Sequence, residues 1–388
     1  MNNTTVTNTI KYAGVNDKTI DLFESQYVVP KGISYNSYVI LDEKTAVMDS
    51  VDKRAGEEWF SNLDRILEGR KPDYLVVNHM EPDHAGNIQS FLEKYPEAKL
   101  VSNAKVFNML PQFFSVDVSD RSVVVKEGEE LSLGEHILTF LMAPMVHWPE
   151  VMVTYEKTEK VLFSADAFGK FGALDVDEDW TCEARRYYMN IVGKYGMQVQ
   201  MLLKKVAPLD IQMICPLHGP VLSEQIEYYL EKYNIWSSYT PEDEGIVIAC
   251  ASIHGNTKAA AEKLAAMLEE KGTKKVTLFD LARDDLAEAI EDAFRYNKMV
   301  LACATYDAGL FSCMENFLAH LKSKNYQKRT VGIIENGSWA PMAGKLMREK
   351  LSQMKEITVL EPVVTIKSTL NAQSEEQLEQ LAEALVSE

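Results

Sequence analysis

No two of the five cysteines form a Cys-x-x-Cys pair. The scatter of Cys182, Cys215, Cys250, Cys303 and Cys313 argues against a zinc ribbon, a thioredoxin motif or a four-cysteine iron site in this chain. The odd count suits a reducing compartment better than a disulfide framework. No apolar run approaches the ~18 residues that a transmembrane helix needs. The start, Met1-Asn2-Asn3-Thr4-Thr5, has no basic segment followed by an apolar stretch, so no signal peptide is expected. Positive charge is also scarce, with 40 Lys and Arg against 58 Asp and Glu and a formal net charge of -18. Such a surface repels phosphate backbones and anionic lipid, so nucleic acid and membranes are not expected partners. Repeats and low-complexity segments are missing too. Together these absences predict a soluble cytoplasmic protein.

With 388 residues, 46% of them hydrophobic, the chain has material for two domains at about 100–200 residues each. Residues 1–244 read as short strands, several separated by helices. Tyr38–Leu41, Thr45–Met48, Tyr74–Val77, Lys99–Val101, Ser122–Val125, Ile137–Leu141, Val161–Phe163 and Ile211–Ile214 are rich in β-branched and aromatic residues. Gly56–Leu67, Ile88–Tyr95 and Ser223–Tyr233 predict helices. Ser237–Glu244, polar and acidic with one proline, reads as a boundary. From Gly245 to residue 388 the rhythm is a regular β-α alternation. Its strands are Ile246–Cys250, Val276–Phe279, Met299–Thr305, Thr330–Ile334 and Val359–Ile366. Five helices follow them in turn, which predicts a doubly wound parallel sheet.

The most informative stretch is Asn78-His79-Met80-Glu81-Pro82-Asp83-His84, directly after a strand. Four good metal ligands lie within six residues. His147, Asp166 and His218 each follow a later strand, and loops at one sheet edge converge. A lone histidine in a loop is usually only a polar loop residue. Two histidines and two carboxylates packed together without a metal would carry repulsion and desolvation costs with no return. The set therefore predicts a metal site. Glu81 adds a hard, negative oxygen ligand and shifts preference from zinc towards iron.

These residues resemble the metallo-β-lactamase fold, whose zinc members carry His-x-His-x-Asp-His. With Glu81 in the third position and the downstream histidine, aspartate and histidine, the pattern resembles the flavodiiron (A-type flavoprotein) family. Pro30–Tyr38, His147-Trp148-Pro149, Asp166–Gly169 and Pro216–Pro220 read like that family as well, and the resemblance covers nearly the whole chain. It implies an αββα sandwich in the first domain. It also implies two irons, one on His79, Glu81 and His147, the other on Asp83, His84 and His218, with Asp166 bridging. In some family members the histidine matching His84 does not reach the metal.

In the second half, Ser252, Ile253, His254, Gly255, Asn256 and Thr257 follow the first strand and open a helix, where backbone N–H groups suit a phosphate. An ordinary N-capped turn is the plain alternative. There is no Gly-x-x-x-x-Gly-Lys-Ser/Thr run, so an ATP-type loop is not expected. Thr305, Tyr306, Asp307, Ala308 and Gly309 follow the third strand, and Asn336, Gly337, Ser338 and Trp339 the fourth. In a doubly wound sheet these loops flank the ligand crevice. Tyr306 and Trp339 can pack on a flat ring, or simply face solvent or an interface. This half resembles the flavodoxin domain of the same family, which implies FMN. His254 departs from the threonine that flavodoxins often carry there.

The resemblance further implies reduction of dioxygen to water, of nitric oxide to nitrous oxide, or of both, with electrons entering at FMN. It implies a head-to-tail homodimer or a dimer of such dimers. The donor is expected to be external, a rubredoxin-like protein or a reduced deazaflavin. Two rivals are a zinc hydrolase fused to a flavodoxin and a non-catalytic electron-transfer protein. Metal analysis separates the first and a turnover assay the second.

Overall fold

The computed structural model describes residues 4–387. Contacts divide the chain into Met1–Tyr188 with Met197–Asn234, and Met189–Gly196 with Ile235–Glu388. The sequence places the division at 244/245, within a linker. In the structure the helix Ile226–Ser237 runs into that segment and the strand Asp243–Ala251 starts before its end. Tyr239 packs on Phe294, and its carbonyl accepts from the buried Arg329 guanidinium at 2.8 Å. Asn190 donates to the carbonyl of Ala287. These contacts draw the linker and residues 189–196 into the second unit.

The first unit is an αββα sandwich. One sheet orders Ile10–Tyr12, Tyr38–Ile40, Ala46–Met48, Tyr74–Val76, Lys99–Ser102 and Ser122–Val124. The other orders Glu130–Ser132, Ile137–Met142, Met152–Glu156, Val161–Phe163 and Met213–Cys215. Inward residues of both sheets, among them Ile40, Met48, Val76, Phe140, Met152 and Phe163, form one core. The helix Gly56–Leu67 buries Trp59, Leu63 and Leu67, a stripe at i, i+4 and i+8. Each such side chain contributes about 1.5–3 kcal/mol of burial.

Strand direction is what positions the loops. Tyr74–Val76 runs parallel to both Ala46–Met48 and Lys99–Ser102. Val161–Phe163 runs parallel to Met213–Cys215, and Met152–Glu156 lies antiparallel to Ile137–Met142. The segments after Met48, Val76, Met142, Phe163 and Cys215 therefore leave at the ends of strands that share a direction within each sheet. The fully buried strand Met152–Glu156 is absent from the sequence reading, as are the helices Ala104–Phe113 and Trp180–Tyr187.

The second unit is a parallel sheet ordered Val276–Asp280, Asp243–Ala251, Tyr296–Tyr306, Gln327–Asn336 and Lys355–Val359. This is the flavodoxin order 2-1-3-4-5. Val359–Ile366, expected as one strand, is split in two. Lys355–Val359 pairs with the first part of Gln327–Asn336, and Val364–Ile366 pairs with its end. Pro362 lies between them and has no N–H for a ladder. No helix among the described residues is long and apolar enough to cross a membrane.

Candidate metal centre and flavin crevice

The loop after Tyr74–Val76 is fixed before any metal is considered. Asp49 accepts from the backbone N–H and the side-chain amide of Asn78, both at 2.7 Å, and from the N–H of His79 at 3.3 Å. Thr154 donates to the remaining Asn78 side-chain oxygen at 2.7 Å. Burial pushes the Asp49 carboxyl up to about 6, although the bonds from Asn78 pull it down. Asp49→Ala would leave three buried N–H groups without their acceptor. It is expected to cost about 1–3 kcal/mol, read as a lower melting temperature of the full chain. An unchanged melting temperature would show that these amides find other partners.

Pro82 opens a short helix, Pro82–Ala85, that carries Asp83 and His84. The Asp166 loop and the His218 loop are tied by Leu217, whose N–H donates to the carbonyl of Ala165 at 2.9 Å. Asn36 donates to the carbonyls of Pro216 and Gly219, both at 2.8 Å. Gly219 has φ +81, and a Cβ there would meet the Lys170 side chain at 2.8 Å.

The seven residues singled out from sequence come together. Around one Asp166 oxygen, Oδ2, stand His79 Nε2 and His147 Nε2, both at 3.2 Å. Glu81 Oε2 lies 3.2 Å from His79 Nε2 and 2.9 Å from His147 Nε2. The other oxygen, Oδ1, faces His84 Nε2 at 3.1 Å and His218 Nε2 at 3.8 Å. Asp83 Oδ2 is 3.3 Å from each of those two histidines. Within each group the donor atoms lie within 4.8 Å of one another. His79, His84, His218 and Asp166 are buried to within 1%.

This donor set suits metal ions better than it suits itself. Both oxygens of Asp83, both of Asp166, and Nε2 of His84 and His218 are buried without a hydrogen-bond partner among the described residues. Burial alone would lower the His79 and His147 pKa values, but Asp166 and Glu81 outweigh it, so His79 is raised well above the usual range and His147 to about 9. Burial raises and the histidines lower Asp166, and the histidines win. A cavity of about 390 Å³ reaches Glu81 and Asp83 from the surface, past Leu22, Glu24, Tyr35 and Arg54. Phe23, Tyr35 and Tyr187 pack around His218.

Sequence reasoning missed the supports of these side chains. Glu150 lies 2.8 Å from His79 Nδ1, and the carbonyl of Ser34 is 2.7 Å from His218 Nδ1. Neither oxygen can donate, so each Nδ1 keeps its proton and each Nε2 is the nitrogen that would ligate. Glu150 was within reach, since it directly follows His147-Trp148-Pro149. Main-chain carbonyls such as that of Ser34 leave no trace in residue type. A third cluster, His136 with Glu156 and Glu159, closes on itself. His136 Nδ1 is 3.1 Å from Glu156, whose carboxylate also accepts from the N–H groups of Thr158 and Glu159.

In the second unit the predicted loops meet at the C-terminal edge of the sheet. Ile253, His254, Gly255 and Asn256 are exposed, Ser252 and Thr257 buried. Gly255 caps the helix Asn256–Glu270 at φ +89 with open space where a Cβ would stand. Asn336 donates to Thr257 Oγ1 at 3.2 Å. Thr305 Oγ1 accepts from the N–H groups of Met342 and Ala343. Asp307 and Ala308 form the tight turn between Tyr306 and Gly309, with φ +49 and +56. Gly337 and Ser338 lead into Trp339, which is 93% exposed, and Tyr306 is 51% exposed. Exposed aromatics beside a helix N-terminus suit a flat ring with a phosphate tail. The sequence reading omitted a fourth loop, Lys367–Thr369. Ser368 exchanges two 3.0 Å bonds with Asn336, and its hydroxyl meets that of Ser338.

Comparison with known proteins agrees with this layout. Residues 33–219 match the family described as ODP family beta lactamase, and residues 248–383 match flavodoxin. A nitric oxide reductase of Moorella thermoacetica is 30% identical, covering 93% of this chain and 92% of that protein. An anaerobic nitric oxide reductase flavorubredoxin of Vibrio vulnificus is 28% identical, over 86% of this chain and 70% of its own. The rubredoxin oxygen:oxidoreductase of Desulfovibrio gigas superposes with a TM-score of 0.91 at 26% identity, over 99% of both chains.

Proposed function

The chain belongs to the flavodiiron protein family, and on that premise we propose that it reduces dioxygen to water, nitric oxide to nitrous oxide, or both. It is an FMN- and iron-dependent oxidoreductase. The observation that carries the reading is the division of the Asp166 carboxylate between two ligand sets. His79, Glu81 and His147 would hold one iron, Asp83, His84 and His218 the other, and Asp166 would bridge them. FMN would lie on the 252–257, 305–309 and 336–339 loops. When bound, the two irons and FMN supply up to four electrons, enough for one dioxygen, while two suffice to couple a pair of nitric oxide molecules.

The residues themselves supply the setting for this chemistry. Asn78 and Asp49 hold the ligand loop, and buried Nδ1 partners aim His79 and His218 at the centre. The cavity to Glu81 and Asp83 has room for a diatomic gas, and the aromatic wall around His218 limits water. Three carboxylates, Glu81, Asp83 and Asp166, give the hard and negative donor set that favours iron over zinc.

Electrons enter at FMN from an external donor, a rubredoxin-like protein or a reduced deazaflavin. The active form is a head-to-tail dimer, or a dimer of such dimers, in the cytoplasm. A fully active monomer at working dilution would count against the dimer. The first test is metal and flavin analysis of protein purified without oxygen, with gas uptake from the reduced enzyme. The expected result is about two irons and one FMN per chain with consumption of dioxygen or nitric oxide. Zinc in their place, with iron unable to restore turnover, would overturn the reading in favour of a hydrolase.

A further inference from the structure

Each half of the metal centre offers two imidazoles and one carboxylate around the shared Asp166: His79, His147 and Glu81 on one side, His84, His218 and Asp83 on the other. By ligand inventory the two halves are equal. What lies behind the ligands is not. His79 Nδ1 meets a carboxylate, Glu150 Oε1, at 2.8 Å. The Glu150 side chain is fully buried, and the same oxygen accepts the N–H of Met80 at 2.9 Å. On the other side, His218 Nδ1 meets a neutral carbonyl, that of Ser34, at 2.7 Å. His84 Nδ1 is buried with no hydrogen-bond partner among the described residues.

We infer that Glu150 is a positioning residue that makes the two halves unequal, so that the His79 half takes its metal first and holds it more tightly. This inference rests on the ligand roles proposed above. A carboxylate behind an imidazole fixes the tautomer and orientation of the ring and makes its free nitrogen a stronger donor. A neutral carbonyl does this more weakly, and a ring with no partner has no fixed tautomer. Glu150 also adds a negative charge close to one half alone. Its place in the fold suits the role: it shares a loop with His147, so a single loop supplies one ligand and backs another. That loop is anchored by Asn103, which donates to the Glu150 carbonyl at 2.7 Å, and by Lys105, which donates to the Pro149 carbonyl at 2.9 Å.

The test is an anaerobic titration of metal-stripped, full-length protein with cobalt(II), followed by its visible spectrum, and repeated with iron(II). The wild type should bind in two resolved steps. His84→Ala should remove the weaker step and keep the tighter one. Glu150→Gln keeps the shape and an acceptor oxygen but removes the charge, and should weaken the tighter step about ten- to a hundredfold while leaving the weaker step in place. FMN content and the melting curve report whether that variant folds, and His84→Ala remains decisive if it does not. A single unresolved step in the wild type, loss of the tighter step in His84→Ala, or equal weakening of both steps in Glu150→Gln would each overturn the inference. If His79→Ala leaves both steps intact, the ligand roles themselves are wrong.

Discussion

Asp166→Ala should strip the protein of both metals and lower gas reduction to below about one thousandth of the wild type, a rise of about 4 kcal/mol in the reaction barrier. The size of the effect follows from geometry. Asp166 is 1% exposed, and its two oxygens face different histidine pairs, at 3.2 Å on one side and 3.1 and 3.8 Å on the other. Every other residue of the set faces one half only. Removing Asp83 should therefore cost the His84–His218 half and spare the other, whereas removing Asp166 takes the common charge from both. It also leaves four histidines converging on a buried space with one bridging anion fewer, so two divalent ions would be under-neutralised. Metal analysis beside a gas-uptake assay reads the result. Two retained metals with more than a tenth of wild-type turnover would show that Asp166 does not bridge. FMN content should stay unchanged, because none of the flavin-loop residues belongs to this cluster.

The cluster was legible from sequence because its histidines and carboxylates are dense and follow strands. His79, Glu81, Asp83 and His84 come from a single turn of loop and helix, and such crowding has few explanations without a metal. Parallel strands then bring Asp166 and His218 alongside. What escaped notice acts at second hand. Glu150 stands 71 residues from His79, and Asp49 works by holding Asn78. Nothing in residue type marks a carboxylate as backing for a distant ring. The elements missed have similar causes. Met152–Glu156 is buried on both faces and lacks the alternation that marks a half-exposed strand. The helix Ala104–Phe113 contains Pro111, a residue that locally argues against a helix, and packing overrides it. Gly193 and Gly196 interrupt the helical pattern between Trp180 and Val206. On the flavin side Ser368 adopts φ +72, an uncommon conformation for serine, so the Lys367–Thr369 loop carried no glycine signal.

Metal uptake by the stripped protein should tighten steeply as pH rises from about 6.5 towards 9, by about tenfold per pH unit for each proton displaced. Burial pushes the pKa values of His79, His84 and His147 down, but the facing carboxylates raise all three above the ordinary histidine range, His147 to about 9. Asp166 and Glu81 are held below the carboxylate range by the same pairs, against burial. Without metal, His79, His84 and His147 thus face the carboxylates as imidazolium ions. For a histidine whose folded pKa is raised, the stabilisation is complete below the unfolded value and is lost as pH rises through the folded one. The stripped protein should therefore lose some stability between about 6.5 and 9. The metal-loaded protein, whose ligands carry no protons, should not. Each ion must displace the protons of the histidines it binds. At least two leave from the His79–His147 half, so its affinity should rise about a hundredfold per pH unit in this window and flatten above it. Cobalt(II) titrations at several pH values, in buffers of different ionisation enthalpy, give both the slope and the protons released. A flat affinity between pH 6.5 and 8.5 would mean that the histidines are already unprotonated, and that the carboxylates rest on other partners.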